Sequence, residues 1–320
     1  LAGGNAVIFN PHPHAKRISA YAVDLVNRAV LAAGGPENIV ATVANPTMET
    51  SNMMVNHPSV RMLVATGGPG VVKMLLSSGK KAIGAGAGNP PVIVDETADI
   101  KKAAKDIIDG CTFDNNLPCI AEKEVFALSP IADELIHYML QNGCYMLSSD
   151  QVKQLEDVVL VWKETKSGKK VRVINKSWVG RDAKKILAQI GVNVSDDIRC
   201  IICETDFSQA FVQTELMMPI LPIVRVNTFD EAVEMAVKAE HGNRHTAHLH
   251  SKNVDHMTQY AKAIETTIFV KNAPSYAGIG FNAEGWTTFT IAGPTGEGIT
   301  SPRSFTRLRR CVLSDALYII

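Results

Sequence analysis

Cys119 is the residue whose type and setting most directly predict chemistry. It lies in the stretch FDNNLPCIAEKEV (residues 113–125), between a helical segment and a run of residues typical of a strand. Backbone N–H groups in such a loop can lower the pKa of a thiol, and the thiolate can then attack an electrophilic carbonyl. Most cysteines in proteins are unreactive, so the local sequence leaves open both a nucleophilic and a structural role for Cys119.

A glycine-rich turn in ATGGPGVVK is the second candidate site. Its residues are Thr66, Gly67, Gly68 and Pro69. Glycines between a strand and a helix let backbone N–H groups approach a phosphate, which the amino end of the helix also favours. The complete GxGxxG fingerprint is absent, so an ordinary tight turn is the alternative interpretation.

Two further segments could contribute to the same site. The segment AVIFNPHP places Asn10, Pro11 and His12 after another predicted strand. Ligands of open α/β folds collect at the carboxyl ends of strands, so these residues and the glycine-rich turn are predicted to share one edge of a sheet. Glu215, in TELMMPILP, is either a capping or ion-paired residue or a ligand for a sugar hydroxyl.

Two clusters of metal-binding residue types are predicted not to bind metal. Cys200 and Cys203 form a CxxC, but the run RCIIC is apolar and strand-like, and no second CxxC completes a zinc site. Four histidines lie in HGNRHTAHLH (residues 241–250), where the pattern indicates a loop entering a strand. Alternating strand residues would not direct all four imidazoles to one point, so we predict no metal site.

The composition is typical of a packed soluble protein. Of the 320 residues, 46% are hydrophobic and 20% are charged, and 32 Lys and Arg balance 32 Asp and Glu. This balance argues against nucleic acid or an anionic membrane as the main partner. The six cysteines form no repeating framework, which predicts reduced thiols in the cytoplasm. No apolar stretch reaches the roughly 20 residues that span a bilayer, so no membrane association is predicted.

Short apolar runs alternate with amphipathic segments along the chain. This pattern is typical of parallel strands connected by helices and predicts an α/β fold. One helix is expected from about residue 99 to residue 108, with Gly110 as its stop. Ser129 and Thr228 are predicted to cap two later helices, and RRCVL near the end of the chain is predicted to form a strand.

Taken together, these motifs resemble those of the aldehyde dehydrogenase superfamily, and within it the CoA-acylating enzymes of bacterial microcompartments that act on propionaldehyde or acetaldehyde. They follow the family order over nearly the whole chain: AVIFNPHP, AGGPENI, TGGPGVVK, GAGAGNPPVIVDETADI, FDNNLPCIAEKEV, WVGRDAKKI, TELMMPILPIVRV, TTIFVKNAPSYAG and GPTGEGITSPRSFTRLRRCVL. The resemblance implies an aldehyde dehydrogenase-like fold, with a Rossmann-type cofactor domain that is incomplete at its amino end and an α/β catalytic domain.

The resemblance also implies a domain organisation. Residues 1–112 would form the C-terminal part of the NAD- and CoA-binding domain, and residues 113–300 the catalytic domain that bears the thiol. Residues 301–320 would form a return segment with a strand for oligomerisation. The chain would then be the C-terminal part of a longer enzyme.

Roles for the candidate residues follow from the same resemblance. Cys119 matches the family nucleophile, whose attack on an aldehyde gives a thiohemiacetal. The segment with Asn10, Pro11 and His12 matches the strand end that binds adenosine, and residues 66–69 match the Gly-rich turn of the family. Glu215 matches the acidic residue that approaches the nicotinamide ribose. NAD is the implied cofactor, and CoA is the implied co-substrate.

One difference from hydrolytic members of the superfamily indicates the reaction type. Those members carry a general-base Glu, whereas this chain has Ala85 at that place, in GAGAGNPP (residues 84–91). A thiol needs little activation to resolve a thioester, so the missing carboxylate favours acyl transfer to CoA. Glu122 is close to Cys119 in sequence, but we interpret it as an exposed loop carboxylate. The alternatives are a hydrolysing aldehyde dehydrogenase and a catalytically silent fragment that binds only nucleotide or partner subunits.

The implied substrates are CoA and a short aliphatic aldehyde, either propionaldehyde or acetaldehyde. The resemblance further implies a homo-oligomer located in the cytoplasm, inside a bacterial microcompartment. Contact with the compartment shell would run through a segment upstream of Leu1.

Overall fold

A computed structural model describes residues 1–165, 168–291, 293 and 298–314 of the chain. Residue contacts divide the chain into two compact units. The first comprises Leu1–Ala65, Gly70–Gly84 and the described residues from Thr300 onward; the second comprises Thr66–Pro69 and the described residues of Ala85–Ile299. The boundary expected at residue 112 therefore differs from this division, because residues 85–112 belong to the second unit. The cofactor and catalytic roles assigned to the two parts remain predictions.

Residues 1–85 build two small sheets with connecting helices. In chain order they form β1 (Val7–Phe9), α1 (Lys16–Ala32), β2 (Val40–Thr42), α2 (Met48–Asn56), β3 (Met62–Thr66), α3 (Pro69–Leu76) and β4 (Lys81–Ala85). β1 pairs with β2 in parallel, and β3 pairs with β4 in a separate sheet. Both segments proposed for nucleotide binding follow a strand, as the sequence predicts: Asn10 comes directly after β1 and Gly67 directly after β3.

The second unit contains one large sheet. The elements of residues 91–271 are β5 (Pro91–Val94), α4 (Ile100–Cys111), β6 (Glu124–Leu128), α5 (Ser129–Gln141), β7 (Cys144–Met146), α6 (Ser149–Val159), β8 (Leu160–Glu164), β9 (Lys170–Ile174), α7 (Ala183–Leu187), β10 (Cys200–Glu204), β11 (Ile220–Val226), α8 (Phe229–Ala239), β12 (Thr246–His250), α9 (Val254–Ile264) and β13 (Ile268–Lys271). Seven strands have the order β13-β12-β5-β6-β11-β10-β7, and β8 and β9 form an antiparallel hairpin.

All neighbouring strands of the seven-stranded sheet are parallel, which confirms the predicted α/β class. β5 and β6 are buried at every position, as expected for apolar strands covered on both faces of a parallel sheet. The main core joins these strands to α4, α5, α8 and α9. Within the described part of the chain, no helix is long and apolar enough to cross a lipid bilayer.

Parallel pairing places the amino ends of the strands at one edge of the sheet. Gly88 precedes β5, Cys119 precedes β6, Glu215 precedes β11 and His245 precedes β12. β12, β5, β6 and β11 are consecutive neighbours in the sheet. The fold therefore brings these four residues, which are far apart in sequence, to the same edge.

The structure confirms some of the predicted helix ends and corrects others. Thr228 caps α8, because its side chain accepts a hydrogen bond from Glu231 N–H. The cap predicted at Ser129 is wrong: Leu128 occupies the cap position, and Ser129 Oγ donates to Val226 O at 2.9 Å. The stop predicted at Gly110 is also wrong, since α4 extends through this glycine to Cys111.

The return segment gives a further correction. Residues 309–313, the RRCVL sequence, form no strand among the residues that the structure describes. The described part of this segment contains a short 3-10 helix, Pro302–Phe305, instead. Residues 315–320, which belong to the predicted return segment, lie outside the described residues.

Candidate active site

Cys119 lies half-buried in the loop between the 3-10 helix Phe113–Asn116 and β6. Three consecutive residues before it, Asp114, Asn115 and Asn116, have positive φ values of 47°, 52° and 66°. Residues with a side chain rarely adopt this conformation, and Asn and Asp tolerate it best. The Asp-Asn-Asn sequence therefore meets a backbone requirement of the loop that presents the thiol.

The buried amide of Asn116 ties this loop to its surroundings. Asn116 is 1% exposed, and its Nδ2 donates to Cys111 O at 2.9 Å and to Glu122 O at 3.0 Å. Its Oδ1 accepts a hydrogen bond of 2.6 Å from Lys123 Nζ. Since an unpaired polar group is costly in the interior, these bonds give the loop one preferred shape.

Gly88 permits the close packing of the residues around the thiol. A Cβ built on Gly88 would lie 2.6 Å from Cys119 O and 3.3 Å from the ring carbon Cγ of His245. The backbone N–H of Gly88 lowers the pKa of the Glu215 carboxyl group. Cys119, Glu215 and His245 thus surround Gly88, and the space around this glycine is too small for a side chain.

Two charged groups act in opposite directions on the thiol of Cys119. Burial raises its pKa first, the carboxylate of Glu215 raises it further, and the ammonium of Lys123 lowers it. Burial likewise raises the pKa of Glu215, against the effects of Lys123 and of the Gly88 N–H. The thiolate, which is the nucleophilic form, is therefore favoured by Lys123 and disfavoured by Glu215.

His245 is a member of the site that the sequence analysis missed. It is 1% exposed, its N–H donates to Glu240 Oε1 at 3.0 Å, and its Nδ1 lies 2.8 Å from Thr246 Oγ1. Burial, with a smaller contribution from Lys123, lowers the pKa of His245 to about 4, so its imidazole is neutral near pH 7. The sequence indicated that His245 comes just before a strand. It did not indicate which strands lie beside that one, and this strand order brings His245 to Cys119.

The interpretation of Glu122 as an exposed carboxylate is wrong. The side chain is 0% exposed, and its Oε1 accepts a hydrogen bond of 2.9 Å from the backbone N–H of Ser275. The carboxyl packs against Gly110, where a Cβ would overlap both of its oxygens. Burial raises the pKa of Glu122 to about 8. Ala85, at the place expected for a general base, is 1% exposed and carries no acid or base group.

In the first unit, the predicted adenosine-binding residues have defined neighbours. Asn10 Nδ2 donates to Ser51 Oγ at 2.6 Å, and its Oδ1 accepts from Thr50 Oγ1 at 3.0 Å, near the start of α2. Pro11 precedes His12, whose Nδ1 accepts from His14 N–H at 3.2 Å. The role of Asn10, Pro11 and His12 in binding a nucleotide stays a prediction.

In the second unit, the glycines of the glycine-rich turn have free space around them. Thr66 is exposed, and a Cβ built on Gly67 or Gly68 would meet no heavy atom within 4 Å. Gly67 N–H donates to Ala85 O at 3.1 Å. The side chain of Pro69 lies outside the described residues. An open turn before α3 fits the approach of a phosphate, while binding at these residues also stays a prediction.

The CxxC motif lies in a strand and the histidine segment runs from a loop into a strand, as predicted. Cys200 and Cys203 belong to β10 and are both 0% exposed. Residues 241–245 form a loop, and Thr246–His250 forms β12. In the described ranges, no group of three or more His, Cys, Asp or Glu side chains is arranged to hold a metal ion.

The model of the aldehyde dehydrogenase family matches residues 1–287 of the chain. The chain belongs to the aldehyde dehydrogenase family. It is 50% identical to the acetaldehyde dehydrogenase (acetylating) EutE of Salmonella typhimurium, over 100% of this chain and 68% of that protein. This match confirms the family predicted from the motifs.

Solved structures of aldehyde dehydrogenases extend the comparison. A propionaldehyde dehydrogenase from the fucose utilisation microcompartment of Clostridium phytofermentans is 57% identical, with a TM-score of 0.91 over 98% of this chain and 70% of that one. The Rhodopseudomonas palustris propionaldehyde dehydrogenase, solved with bound CoA and an acylated cysteine, is 55% identical, with a TM-score of 0.91 over 97% of this chain and 69% of that one.

Proposed function

We propose that this chain catalyses the CoA-acylating oxidation of a short aliphatic aldehyde, with NAD as the hydride acceptor. The observation that carries the proposal is the half-buried thiol of Cys119, set in a preformed loop beside Gly88, Glu215 and His245. A similar aldehyde dehydrogenase holds CoA together with an acylated cysteine, which supports the same chemistry here.

The proposed reaction begins at Cys119. Its thiolate attacks the aldehyde carbon, and the Sγ–C bond forms as the carbonyl oxygen takes up negative charge. Backbone N–H groups of the loop, including that of Cys119, would stabilise this oxyanion. NAD, when bound, supplies the acceptor for the hydride, which leaves the acyl group on Cys119 as a thioester. Transfer of the acyl group to the thiol of CoA then frees Cys119.

The surroundings of the thiol favour CoA over water as the acyl acceptor. Water needs a general base to attack a thioester, whereas a thiol needs little activation. Ala85 stands where hydrolytic relatives are expected to carry that base, and the carboxyl of Glu122 is held by Ser275 and Gly110. These positions leave thiolysis as the favoured outcome.

Each proposed cofactor residue is assigned to one part of the bound nucleotide. Asn10, Pro11 and His12 would meet the adenosine part of the nucleotide, and the open turn at residues 66–69 would admit a phosphate. Glu215, whose carboxyl group is influenced by the backbone N–H of Gly88, would meet the nicotinamide ribose.

The substrate is proposed to be propionaldehyde or acetaldehyde. One methylene changes binding by only about 1 to 3 kcal/mol, so both aldehydes should react. Names of the similar proteins support both, since one is an acetaldehyde dehydrogenase and another a propionaldehyde dehydrogenase.

The test is NADH formation by the chain with propionaldehyde and NAD, with and without CoA, beside Cys119→Ala. Cys311→Ala is the matched control, because Cys311 is an exposed thiol. We expect CoA-dependent turnover and a propionyl-CoA product, both lost in Cys119→Ala and kept in Cys311→Ala. Free acid formed without CoA would overturn thiolysis, and nucleotide binding without turnover would favour the silent binding module.

We also propose that the protein is a homo-oligomer that works in the lumen of a bacterial microcompartment in the cytoplasm. The location is supported by the microcompartment origin of a structure that is 57% identical. Light scattering of the purified chain tests the oligomer. Co-purification of the chain with isolated compartments tests the location and its contact with the shell.

A further inference from the structure

Lys123 is a fully enclosed cation under the loop that carries Cys119. Among the lysines that the structure describes, it alone is buried, with 3% exposure. Its Nζ lies 2.6 Å from Asn116 Oδ1, 3.0 Å from Asn116 O and 3.3 Å from Pro118 O. We propose that Lys123 is a positioning residue, whose ammonium holds the loop of Cys119 in its reactive shape and supplies positive charge beside the thiolate.

The three oxygens around Nζ favour the charged form of Lys123. A lysine ammonium has three N–H donors and no acceptor, whereas a neutral amine has two donors and a lone pair. Three carbonyl-type oxygens therefore match the ammonium one to one, and an amine would direct its lone pair at one of them. The geometry favours a cation even though burial lowers the pKa of Lys123.

The contacts of Lys123 reach the residues that fix the position of the thiol. Pro118 is the residue immediately before Cys119, and Asn116 is the last of the three consecutive residues with positive φ. Such backbone conformations cost energy and persist only where the surroundings enforce them. Lys123 Nζ donates hydrogen bonds to Asn116 and Pro118 in this loop. The amide of Asn116 in turn donates to Cys111 O and Glu122 O. Loss of the ammonium would remove the hydrogen bonds that hold the loop at Asn116 and Pro118.

Charge on Lys123 also acts on the thiol directly. The groups whose charge interacts with Lys123 are Cys111, Cys119, Glu122, Glu124, Glu215, His245 and His248. Of these, Glu215 opposes Lys123 at Cys119. His245 and His248 are neutral near pH 7, because burial lowers their pKa values to about 4 and about 3. Lys123 is thus the cation that offsets Glu215 at the thiol.

This inference rests on the proposed role of Cys119 as nucleophile, but its test does not require turnover. The rate of Cys119 alkylation by iodoacetamide is measured from pH 6 to pH 10, with the modified peptide identified by mass spectrometry. The alkylation assay contains no aldehyde, no NAD and no CoA. The variants are Lys123→Met, which removes the charge, and Lys123→Arg, which keeps it. Lys153→Met is the matched control, because the Lys153 side chain is 81% exposed.

In Lys123→Met we expect the pH midpoint of alkylation to rise by about one unit, which corresponds to about a tenfold slower reaction at pH 7.5. Lys123→Arg should recover most of this shift, and Lys153→Met should match the unmodified chain. An unchanged midpoint in folded Lys123→Met, with circular dichroism like that of the unmodified chain, would overturn the proposal. A purely structural lysine would alter stability without moving the midpoint.

A second measurement applies if Lys123→Met does not fold. Direct ¹⁵N NMR of side-chain lysine nitrogens in the unmodified chain at pH 7.5 distinguishes ammonium from amine. Ammonium shifts for all lysines support the proposal, and an amine shift for the buried lysine overturns it. If turnover persists in Cys119→Ala while the Lys123 effect holds, the proposed function fails, whereas the action of Lys123 on the loop and thiol of Cys119 is supported.

Discussion

The carboxyl group of Glu122 lies directly against the backbone of Gly110 in the last turn of α4. A Cβ at Gly110 would overlap both carboxyl oxygens, and Ser275 N–H holds one of them at 2.9 Å. Gly110 therefore does not end the helix. Its lack of a side chain leaves space for the carboxyl group of Glu122.

Gly110→Ala should destabilise the protein although alanine favours helices. Overpacking in a core costs about 1 to 3 kcal/mol, and displacement of the carboxyl would also break its bond with Ser275. We expect a net loss of about 2 kcal/mol in the free energy of unfolding, measured by urea denaturation. Gly70→Ala is the matched control, since a Cβ at Gly70 in α3 would meet nothing within 4 Å. Equal stability of the two variants would contradict this account.

Glu122→Gln should remove part of the pH dependence of stability. Burial raises the pKa of Glu122 from 4.5 to about 8, so the folded state keeps a proton that the unfolded chain has released across this window. The free energy of unfolding contributed by Glu122 is therefore fully present below pH 4.5 and is lost as the pH rises toward 8, by about 1.4 kcal/mol per unit at most.

The measurement is chemical denaturation of both proteins between pH 5 and pH 8. Gln keeps the oxygen that accepts from Ser275 but does not ionise, so the variant should lose less stability over this range than the unmodified chain. Glu134→Gln, at an exposed position of α5, serves as the control. Parallel curves for the unmodified chain and Glu122→Gln would show that Glu122 does not titrate as described.

Glu215→Gln should make the thiol of Cys119 more reactive in the absence of cofactor. The carboxylate of Glu215 raises the pKa of Cys119, after the larger effect of burial. Its removal should lower the pH midpoint of Cys119 alkylation, in the direction opposite to Lys123→Met. The same variant should raise the KM for NAD if Glu215 meets the nicotinamide ribose. A midpoint that rises or stays fixed in Glu215→Gln would contradict the electrostatic part of this prediction.

The buried histidines of β12 should make the protein sensitive to acid. Burial lowers the pKa values of His248 and His250 from 6.5 to about 3, so only the unfolded chain takes up these protons between about pH 6.5 and pH 3. The free energy of unfolding should fall as the pH drops through this window. His250→Gln should lose less stability between pH 7 and pH 5 than the unmodified chain, as measured by denaturation. The exposed His137→Gln should follow the unmodified chain.

Local patterns in the sequence were sufficient for much of the fold. The apolar run RCIIC predicted a strand, and Thr228 predicted the start of α8, because these features depend on neighbouring residues. The helix ends predicted at Ser129 and Gly110 were wrong for a common reason. Each has a residue type typical of a helix end, yet a distant partner determines its role: Val226 O binds the hydroxyl of Ser129, and Glu122 occupies the space above Gly110.

By itself the sequence determined the family, the α/β class and Cys119 as the candidate nucleophile, since these follow from motifs that are contiguous along the chain. Only the tertiary structure placed His245 and Gly88 beside Cys119, enclosed Glu122, and surrounded Lys123 with three oxygens. The physical reason is the order of parallel strands β12-β5-β6-β11. That order brings distant loops to one edge, and burial there raises the pKa values of Cys119 and Glu215 and lowers that of His245.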